Sequence, residues 1–449
     1  MPTSPPHPSA EATTSRLLAA AKKHGGEAAD AIVAHGVSLD ASVRLGKLES
    51  VEHSESIGIS LRVFVGKGVA SVSSTSFEEG SVEELAERAV AMAKIAPADE
   101  FARLATPDQF AKNFPDCDLL DAYTPDADTL KTWAFAAEEA ALAVSGISNS
   151  EGGGASFNRY TTHLATSNGF SAGLIQSGFS IGVAVLAEKN GAMEVDGDYH
   201  HTVHHQDLRD PSAIGTRAGT RTIDRLGAKR ATTGQFPVVY DERVARSITR
   251  HIAGAINGNM IARGTSFLKD SMGEMIASPV LHLSDDPLVR RKPGSSPFDG
   301  EGLARKKRVL VEDGRLQGWL LDLASAKQLN LAPTGNAGRG VGAPSPATSN
   351  WIMRQGKLSR DELIADIKQG FLVTELIGSS VNLITGDYSR GASGFWIEGG
   401  AIAYPVTEAT IAGNLNDMLR HITPANDADQ TRTTICPSLR IEGMTIASG

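Results

Sequence analysis

The chain has 449 residues, which is too long for one compact core, so two or three domains are expected. Hydrophobic residues at 41% and charged residues at 21% are typical of a soluble globular protein. The formal net charge of −9 argues against a nucleic-acid-binding protein, because contacts to phosphates require a basic surface.

Features of the chain that bear on its location favour the cytoplasm. The sequence begins MPTSPPHPSAEATTS, which lacks the basic and apolar regions of a signal peptide, so residues 1–18 are predicted to be a disordered tail. The two cysteines, Cys117 and Cys436, are too few for a disulfide framework or a structural zinc site. No stretch approaches 18 consecutive apolar residues, so neither a membrane span nor a membrane partner is expected.

Residues 19–120 are predicted to form an N-terminal α+β unit with the order helix, strands, helix. The segment LRVFVGKGVASV alternates apolar and polar positions around Gly66-Lys67-Gly68, which predicts a hairpin. Apolar residues then recur at helical spacing in SVEELAERAVAMA. Prolines and charges between positions 97 and 127 indicate a linker to the next unit.

Residues 121–233 are predicted to form a central unit. It begins with the helical segment DTLKTWAFAAEEAALAV and continues with strands that turn at Asn168-Gly169 and Asn190-Gly191, which are dipeptides typical of type I′ hairpins. Asp210-Pro211 predicts a further helix, because proline is favoured at the first helical position.

Residues 234–449 are predicted to form a C-terminal unit rich in hairpins. FPVVY predicts a strand, residues 241–262 predict one helix, and RVLVEDGRLQGWLLDL turns at Asp313-Gly314. The sequence has no internal repeat and no regular alternation of strands with crossover helices. This pattern predicts an α+β fold with mostly antiparallel sheets and flanking helices.

The segment HHTVHH is a candidate metal site. On a helix, His200 and His204, or His201 and His205, would lie one turn apart. Catalytic zinc has three protein ligands that are held by further contacts. Because the segment follows a hairpin and precedes a helix start, a solvated loop is the favoured alternative. Further ligands could come from the neighbouring Asp196, Asp198 and Asp207.

FDGEG places Asp299 and Glu301 two positions apart, so both carboxylates lie on one side of an extended segment. Paired carboxylates can perform acid–base catalysis. They can also accept hydrogen bonds from backbone N–H groups in a glycine turn, which is the favoured interpretation here.

The segment SITRHIAGAINGNMIARGTS, residues 247–266, has the length of a helix and ends in an Arg-Gly-Thr-Ser turn. His251 falls in the apolar stripe with Ile248 and Ala255, so it is predicted to be a hydrogen-bonded histidine of the core. A thermolysin-type zinc site requires H-E-x-x-H, and this string is absent from the sequence. The residues alone therefore do not identify a hydrolase.

The longest diagnostic segment is ITGDYSRGASGFWIEGGAIAYPVTEATIAGNLNDML, residues 384–419. It resembles the C-terminal signature of the TldD/TldE family, in the branch called TldE or PmbA. GKLESVEHSESIGISLRVFVGKGVASVSS resembles the family's N-terminal hairpin region, and DDPLVRRKPGSSPFDGEGLARKKRVLVEDGRLQGWLLDLASAKQL resembles the start of its C-terminal domain. TGNAGRG and Ser349-Asn350 also match, so the resemblance covers residues 25–449.

The resemblance implies that the helix before the R-G-T-S turn lacks metal ligands. In the family, TldD binds the metal through an H-E-x-x-x-H helix, and both branches end that helix in this turn, here Arg263–Ser266. Counted back from the turn, the two histidines fall on Thr249 and Gly254, and the glutamate falls on Arg250. The late cysteine ligand of TldD is not assigned to Cys436, which lies closer to the C-terminus. No catalytic or metal-binding residue is therefore implied in this chain.

The resemblance further implies a role as a partner subunit. The family's TldD–TldE heterodimer is a cytosolic metalloprotease that degrades unfolded peptides, removes leaders from peptides such as microcins, and takes part in antitoxin turnover. Zinc is then expected in a TldD-like partner and no cofactor in this chain, while a homodimer in isolation is left open. Structural roles, with substrate-channel contact as the alternative, are predicted for Arg263, Thr265, Asp299, Glu301 and Asn350.

Two other functions stay open. An autonomous peptidase or hydrolase would use HHTVHH or the Asp299/Glu301 pair as an unfamiliar site. A binding protein in gyrase regulation is the second, because the family carries the label modulator of DNA gyrase, although the acidic charge disfavours direct DNA binding.

Overall fold

The computed structural model of the protein describes residues 9–448, which form mostly antiparallel sheets flanked by helices. This architecture confirms the predicted α+β class. Within residues 9–448, no helix is both long enough and apolar enough to cross a membrane.

The first six strands form one antiparallel sheet. They are β1 (Ala28–Arg44), β2 (Lys47–Val65), β3 (Gly68–Ser74), β4 (Ile147–Thr166), β5 (Ser171–Lys189) and β6 (Ala192–Thr202). Their order across the sheet is β3-β2-β1-β4-β5-β6, so β3 and β6 are its edges. The hairpins predicted at Gly66, Asn168-Gly169 and Asn190-Gly191 are confirmed.

Strands β1 and β4 join the first two predicted units within this sheet. They pair along their length, from Asp30 opposite Thr166 to Val43 opposite Gly153. The two units therefore share one hydrogen-bonded sheet, while the boundaries given for the three units stay predictions.

Helices α1 (Ala10–Lys23), α2 (Glu79–Ile95), α3 (Ala127–Leu142) and α4 (Pro211–Asp224) pack against this sheet. Helices α1 and α2 share one hydrophobic core with the sheet, and α3 and α4 share another. Asp210 caps α4 by accepting a hydrogen bond from the Ala213 N–H, which confirms the helix start predicted at Asp210-Pro211.

Helix α1 shows that the predicted disordered tail is wrong over residues 10–18. Ser9 caps the helix by accepting a hydrogen bond from the Ala12 N–H, and Leu17 and Ala21 are fully buried. Burial of this apolar stripe offsets the entropy lost when the segment is ordered. Residues 1–8 of the predicted tail lie outside the described part of the chain.

The C-terminal half contributes strands to three further sheets. In chain order they are β7 (Gly234–Tyr240), β8 (Leu283–Asp285), β9 (Arg308–Glu312), β10 (Arg315–Leu316), β11 (Ala337–Gly338), β12 (Ser345–Pro346), β13 (Trp351–Met353), β14 (Gln369–Val381), β15 (Asp387–Glu398), β16 (Ala401–Asn414), β17 (Ile422–Pro424), β18 (Thr434–Ile435) and β19 (Leu439–Ser448). The hairpin predicted at Asp313-Gly314 is confirmed between β9 and β10.

The largest C-terminal sheet closes on itself. Its order is β16-β15-β14-β7-β19-β17, and β16 also pairs with β19. A second sheet has the order β10-β9-β8-β13-β18, and β11 pairs with β12. The closed sheet and its neighbours enclose the most extensive hydrophobic core, which includes Trp351, Phe371 and Trp396.

The helices of this half are α5 (Glu242–Ala255), α6 (Gly258–Ala262), α7 (Leu323–Gln328), α8 (Arg360–Ile364) and α9 (Leu415–Arg420). The single helix predicted over residues 241–262 is wrong at one point, because α5 and α6 are separate. The Asn257 side chain accepts a hydrogen bond from the Asn259 N–H and starts α6. The Gly258 N–H donates to the Leu320 carbonyl, which ties the break to a neighbouring segment.

A buried carboxylate holds the β1–β2 turn against helix α3. Glu138 of α3 is 1% exposed. Its two oxygens accept hydrogen bonds from the Leu45 and Gly46 N–H groups, each with an N···O distance of 2.9 Å, and Oε1 also accepts from Ser150 Oγ. Leu45 has a φ of 50°, which is unfavourable for leucine, so these bonds stabilise the turn against that strain.

A buried ionic cluster connects the first sheet to the C-terminal half. Arg62 of β2 donates to Asp30 of β1 through Nε and Nη2, with distances to Oδ2 of 2.8 and 2.5 Å. Arg339 Nη2 lies 2.6 Å from Asp30 Oδ1, and Glu301 Oε1 lies 3.7 Å from Arg62 Nη2. Buried charges are tolerated when they are paired in this way, so the cluster helps to fix how the two halves meet.

Glu301 gives this cluster a pH dependence. Burial raises the pKa of Glu301 from 4.5 to about 8, and the charge of Arg62 opposes the rise. Below pH 4.5 the carboxyl is protonated in both the folded and the unfolded chain. As the pH increases the unfolded chain loses this proton first, so the contribution of Glu301 to stability falls up to about pH 8.

We expect Glu138→Ala to lower the free energy of unfolding by about 2–4 kcal/mol, because three donors lose a buried acceptor. Urea denaturation followed by circular dichroism measures this loss. The matched control is Glu139→Ala, at the exposed neighbour on α3, which should change stability by less than about 0.5 kcal/mol. Equal stability of the two variants would contradict the role assigned to Glu138.

We expect Glu301→Gln to reduce the pH dependence of stability, because glutamine cannot ionise. Relative to the native chain, the variant should gain stability between pH 4.5 and about pH 8. The gain is at most a few kcal/mol, since one pKa unit corresponds to about 1.4 kcal/mol. Melting temperatures across this pH range measure it, with Glu312→Gln at an exposed position as the control. A constant difference between native chain and variant at every pH would show that Glu301 does not titrate in this range.

Candidate functional site

Helix α5 lies at the centre of the candidate site. It follows β7, and Asp241 caps it by accepting a hydrogen bond from the Arg243 N–H. Its apolar stripe faces the C-terminal core, where burial of one isoleucine stabilises the fold by about 1.5–3 kcal/mol. The stripe therefore fixes which side chains of the helix face outward. Its buried members are Ala245, Ile248, Ile252 and Ala255.

The three positions that the resemblance aligns with metal ligands have side chains unsuited to a metal. Thr249 is fully buried, and its hydroxyl donates to the Arg246 carbonyl at 2.9 Å. Arg250 is exposed and cationic, so it would repel Zn²⁺. At Gly254 a Cβ atom would lie 2.9 Å from Leu383 Cδ1, so a larger residue would meet that side chain.

The donor chemistry around α5 does not fit a zinc ion. Zinc takes cysteine, histidine and carboxylate ligands in proteins. Across residues 9–448, no group of three or more such side chains is arranged to hold a metal. No reaction step through a metal on this chain follows from these residues.

His251 faces the core side of α5, as predicted, but without the predicted hydrogen bond. Its ring packs edge-on against Tyr388 at a centroid distance of 5.9 Å. Its Nε2 is buried and has no hydrogen-bond partner among the described residues. Burial, with a smaller effect from the charge of Arg390, lowers the pKa of His251 to about 4, so the imidazole is neutral at pH 7.

Cys436 is a buried thiol beside the chain turn at Pro437. Its Sγ donates to the Pro437 carbonyl at 3.4 Å. Burial raises the pKa of Cys436 well above its usual value, which disfavours the thiolate that binds metals.

The first half of HHTVHH belongs to strand β6, so the predicted solvated loop is wrong there. His200 is 3% exposed. The Arg209 N–H donates to His200 Nδ1 at 3.0 Å, and His200 Nε2 lies 3.0 Å from Thr431 Oγ1. Burial lowers the pKa of His200 to about 4. Pairing with β5 fixes this segment as a strand, and both nitrogens of His200 already have partners.

The second half of HHTVHH is anchored by two aspartates. His204 Nε2 lies 2.9 Å from the Asp118 carbonyl oxygen. His205 Nδ1 lies 2.7 Å from Asp121 Oδ2, which also accepts a hydrogen bond from the His205 N–H. These contacts connect the segment to the preceding linker and leave the four histidines without a common ligand position.

The carboxylates of Asp299 and Glu301 accept hydrogen bonds from backbone N–H groups. Asp299 Oδ1 accepts from the N–H groups of Glu301 and Leu303, each at 2.9 Å, and Oδ2 accepts from the Ala337 N–H at 3.1 Å. Glu301 Oε2 accepts from the Leu323 N–H at 2.8 Å, at the first turn of α7. The pair thus joins three segments of backbone.

Three further predicted residues lie at turns and loops. Arg263 is exposed at the end of α6, and the Thr265 hydroxyl donates to the Met260 carbonyl at 3.3 Å. Asn350 is fully buried, and its Nδ2 donates to the Asp286 carbonyl and to Ser295 Oγ at 2.7 and 2.8 Å. Contact of these residues with a substrate channel stays a prediction.

A pocket of about 260 Å³ lies beside Arg250, between α5 and β6. Tyr199 Oη accepts hydrogen bonds from Arg246 Nη2 at 3.2 Å and from Arg432 Nη1 at 2.9 Å. Arg246 and Arg250 are spaced one helical turn apart, but no local sequence pattern connects them with Tyr199 or Arg432. We call Tyr199, Arg246, Arg250 and Arg432 the arginine pocket.

Three family profiles match successive parts of the chain. Residues 29–93 match PmbA/TldA metallopeptidase domain 1, and residues 121–226 match the PmbA/TldA metallopeptidase central domain. Residues 233–448 match the PmbA/TldA metallopeptidase C-terminal domain. The three matches follow one another without overlap, with residues 94–120 and 227–232 between them.

Named relatives are similar to the chain over long stretches. Metalloprotease PmbA of Escherichia coli O157:H7 is 35% identical over 441 residues, which cover 97% of this chain and 95% of that protein. The metalloprotease PmbA homologue of Haemophilus influenzae is 34% identical over 91% of this chain and 90% of its own. The metalloprotease TldD homologue of the same organism is 28% identical over 56% of this chain and 54% of its own.

Solved structures share the fold. A Bacteroides thetaiotaomicron protein described as a candidate modulator of DNA gyrase has a TM-score of 0.90 and 26% identity, covering 97% of this chain and 98% of its own. TldE from Thermococcus kodakarensis has a TM-score of 0.86 and 22% identity, covering 97% of this chain and 100% of its own. With the domain matches and the full-length identity to PmbA, the chain belongs to the PmbA/TldD metallopeptidase family, in its PmbA (TldE) branch.

Proposed function

We propose that this chain is the non-catalytic subunit of a heterodimeric metalloprotease whose zinc is held by a TldD-like partner. The carrying observation is the set of side chains at Thr249, Arg250 and Gly254, which offers no free donor suited to zinc. The similarity to a metalloprotease TldD homologue supports a shared scaffold for the two subunits.

The proposed substrates are unfolded peptides, including leader segments of ribosomally made peptides and an antitoxin. An extended peptide can pair with a sheet edge through its main chain, with little preference for sequence. Strand β6 is an edge of the first sheet, and Tyr199 and His201 of this strand line the pocket beside α5. This arrangement supports a subunit that holds an extended chain while the partner cleaves it in the cytoplasm.

The autonomous-hydrolase alternative has less support from the contacts around its two candidate sites. The histidines of HHTVHH contact Thr431, Asp118 and Asp121. The carboxylates of Asp299 and Glu301 already accept backbone hydrogen bonds. A role as a binding protein in gyrase regulation, and self-association without the partner, stay predictions.

We expect the purified chain to carry less than stoichiometric zinc and to leave a casein-like unfolded substrate intact. Co-expression with a TldD homologue should produce a complex that contains zinc and cleaves the substrate. Elemental analysis and a peptide-release assay measure the two quantities. The control is the same complex with the metal-site glutamate of the TldD homologue replaced, which should be inactive.

Stoichiometric zinc and turnover by the chain alone would refute the proposal. If such turnover occurs, the autonomous alternative requires that His204→Ala or Glu301→Gln abolish it. Loss of activity in neither variant would then exclude both candidate sites.

A further inference from the structure

Helix α5 carries two arginines that are not neutralised by ion pairs. Arg246 and Arg250 lie one turn apart, a spacing at which like charges destabilise a helix. Among residues 9–448, neither guanidinium forms an ion pair with a carboxylate. The guanidinium groups of Arg246 and Arg250 are therefore not held by a direct ion pair and can contact a ligand.

Arg432 adds a third guanidinium to the same pocket. It donates through Nη1 to Tyr199 Oη, and its Cζ lies 5.0 Å from the centroid of the Tyr199 ring. Its Nε faces two carboxylates, Asp429 Oδ2 at 3.2 Å and Glu242 Oε2 at 4.0 Å. These contacts hold Arg432 in place and offset part of its charge, while Arg246 interacts with Glu242 only at longer range and Arg250 forms no ion pair within residues 9–448.

The pKa of Tyr199 is affected by the positive charges of the pocket. Its burial would raise the pKa of the phenol, but the hydrogen bond from Arg246 and the charges of Arg432 and Arg246 lower the pKa below its usual value. The phenol oxygen thus accepts hydrogen bonds from two guanidinium groups. Tyr199 positions both arginines toward the same space.

Within the described residues 9–448, no acidic side chain lines the arginine pocket. Its other lining residues are proline, threonines and two histidines. Burial lowers the pKa of both histidines, in the case of His200 to about 4, so they are neutral at pH 7. The pocket is therefore cationic and is lined by hydroxyl groups that can donate hydrogen bonds.

A larger cleft at the start of α5 provides an internal comparison. It has a volume of about 560 Å³ and also contains arginines. There Arg243 Nη1 lies 3.0 Å from Asp196 Oδ1, and Arg360 Nη1 lies 2.9 Å from Asp241 Oδ2. Its arginines are paired with carboxylates of the protein, whereas Arg246 and Arg250 of the arginine pocket form no ion pair within residues 9–448.

We propose that the arginine pocket binds a carboxylate of an extended peptide, either its C-terminal carboxylate or an acidic side chain. Guanidinium groups bind carboxylates through paired, charge-assisted hydrogen bonds. Tyr199, His200 and His201 of edge strand β6 line the pocket, so a peptide that lies along this face of the strand would bring its carboxylate to Arg250. That the carboxylate belongs to a peptide rests on the proposed function.

The test measures binding of short labelled unstructured peptides to the full chain at low salt, by fluorescence anisotropy. One peptide ends in a free carboxylate and its twin in an amide, and a second pair carries an internal glutamate or glutamine. The native chain should bind a carboxylate form at least about tenfold more tightly than its neutral twin. The pair that shows the difference identifies which carboxylate is bound.

The double variant Arg246→Gln/Arg250→Gln should bind both members of that pair equally weakly. The matched control is Arg88→Gln, at an exposed helical arginine of α2, which should bind as the native chain does. Melting temperatures check that each variant is folded, and Arg250→Gln alone, at an exposed position, provides a second variant if the double variant does not fold.

Two results would overturn the proposal. The first is equal affinity of the native chain for the charged and the neutral peptide of each pair. This result would overturn the proposal even if inorganic phosphate alone binds in an Arg250-dependent manner. The second is a double variant that discriminates between the peptides as the native chain does. The binding measurement does not require the proteolytic partner, so a failed protease assay would not contradict carboxylate binding by the arginine pocket. Conversely, an active complex whose KM is unchanged in the double variant would contradict the role of the pocket but not the proposed function.

Discussion

The packing of helix α5 into the C-terminal core is the constraint on which the candidate site depends. The buried stripe that includes Ile248 and Ile252 sets the rotation of the helix about its axis. Trp351 Nε1 donates to the Thr249 carbonyl at 3.1 Å and further fixes this rotation. Thr249 is thereby directed inward, while Arg246 and Arg250 are directed toward β6.

The packing of α5 depends on its buried face, whereas metal binding would depend on other positions of the helix. The C-terminal sheet closes through the pairing of β16 with β19, and α5 packs against β7 and β14 of this sheet. Substitution at Arg250 need not disturb the core, because Arg250 is exposed, whereas a side chain at Gly254 would require Leu383 to move. A family member can therefore have the scaffold of a metallopeptidase without having metal ligands on it.

Local features were predictable from the sequence, and long-range ones were not. The turn at Asn190-Gly191 and the helix start at Asp210-Pro211 depend on a few neighbouring residues, so their patterns sufficed. The pairing of β1 with β4 joins residues more than a hundred positions apart, and no local pattern indicates it. The order of residues 10–18 likewise depends on burial of Leu17 against a sheet that forms elsewhere.

The candidate site shows the same limit. For HHTVHH a solvated loop was favoured and a metal site stayed a candidate, because spacing alone does not reveal that His200 contacts Thr431 or that His205 contacts Asp121. The arginine pocket was missed because Tyr199 and Arg432 are separated by more than two hundred residues in the chain.

A single substitution on α5 changes both what the helix excludes and what it attracts. At position 250 a carboxylate would favour a divalent cation and repel an anionic ligand, whereas arginine does the reverse. Because Arg250 faces a pocket that already contains Arg246 and Arg432, its charge adds to a cationic group rather than standing alone. Arg250, which disfavours a zinc ion on α5, is therefore also one of the residues on which the proposed binding of a carboxylate depends.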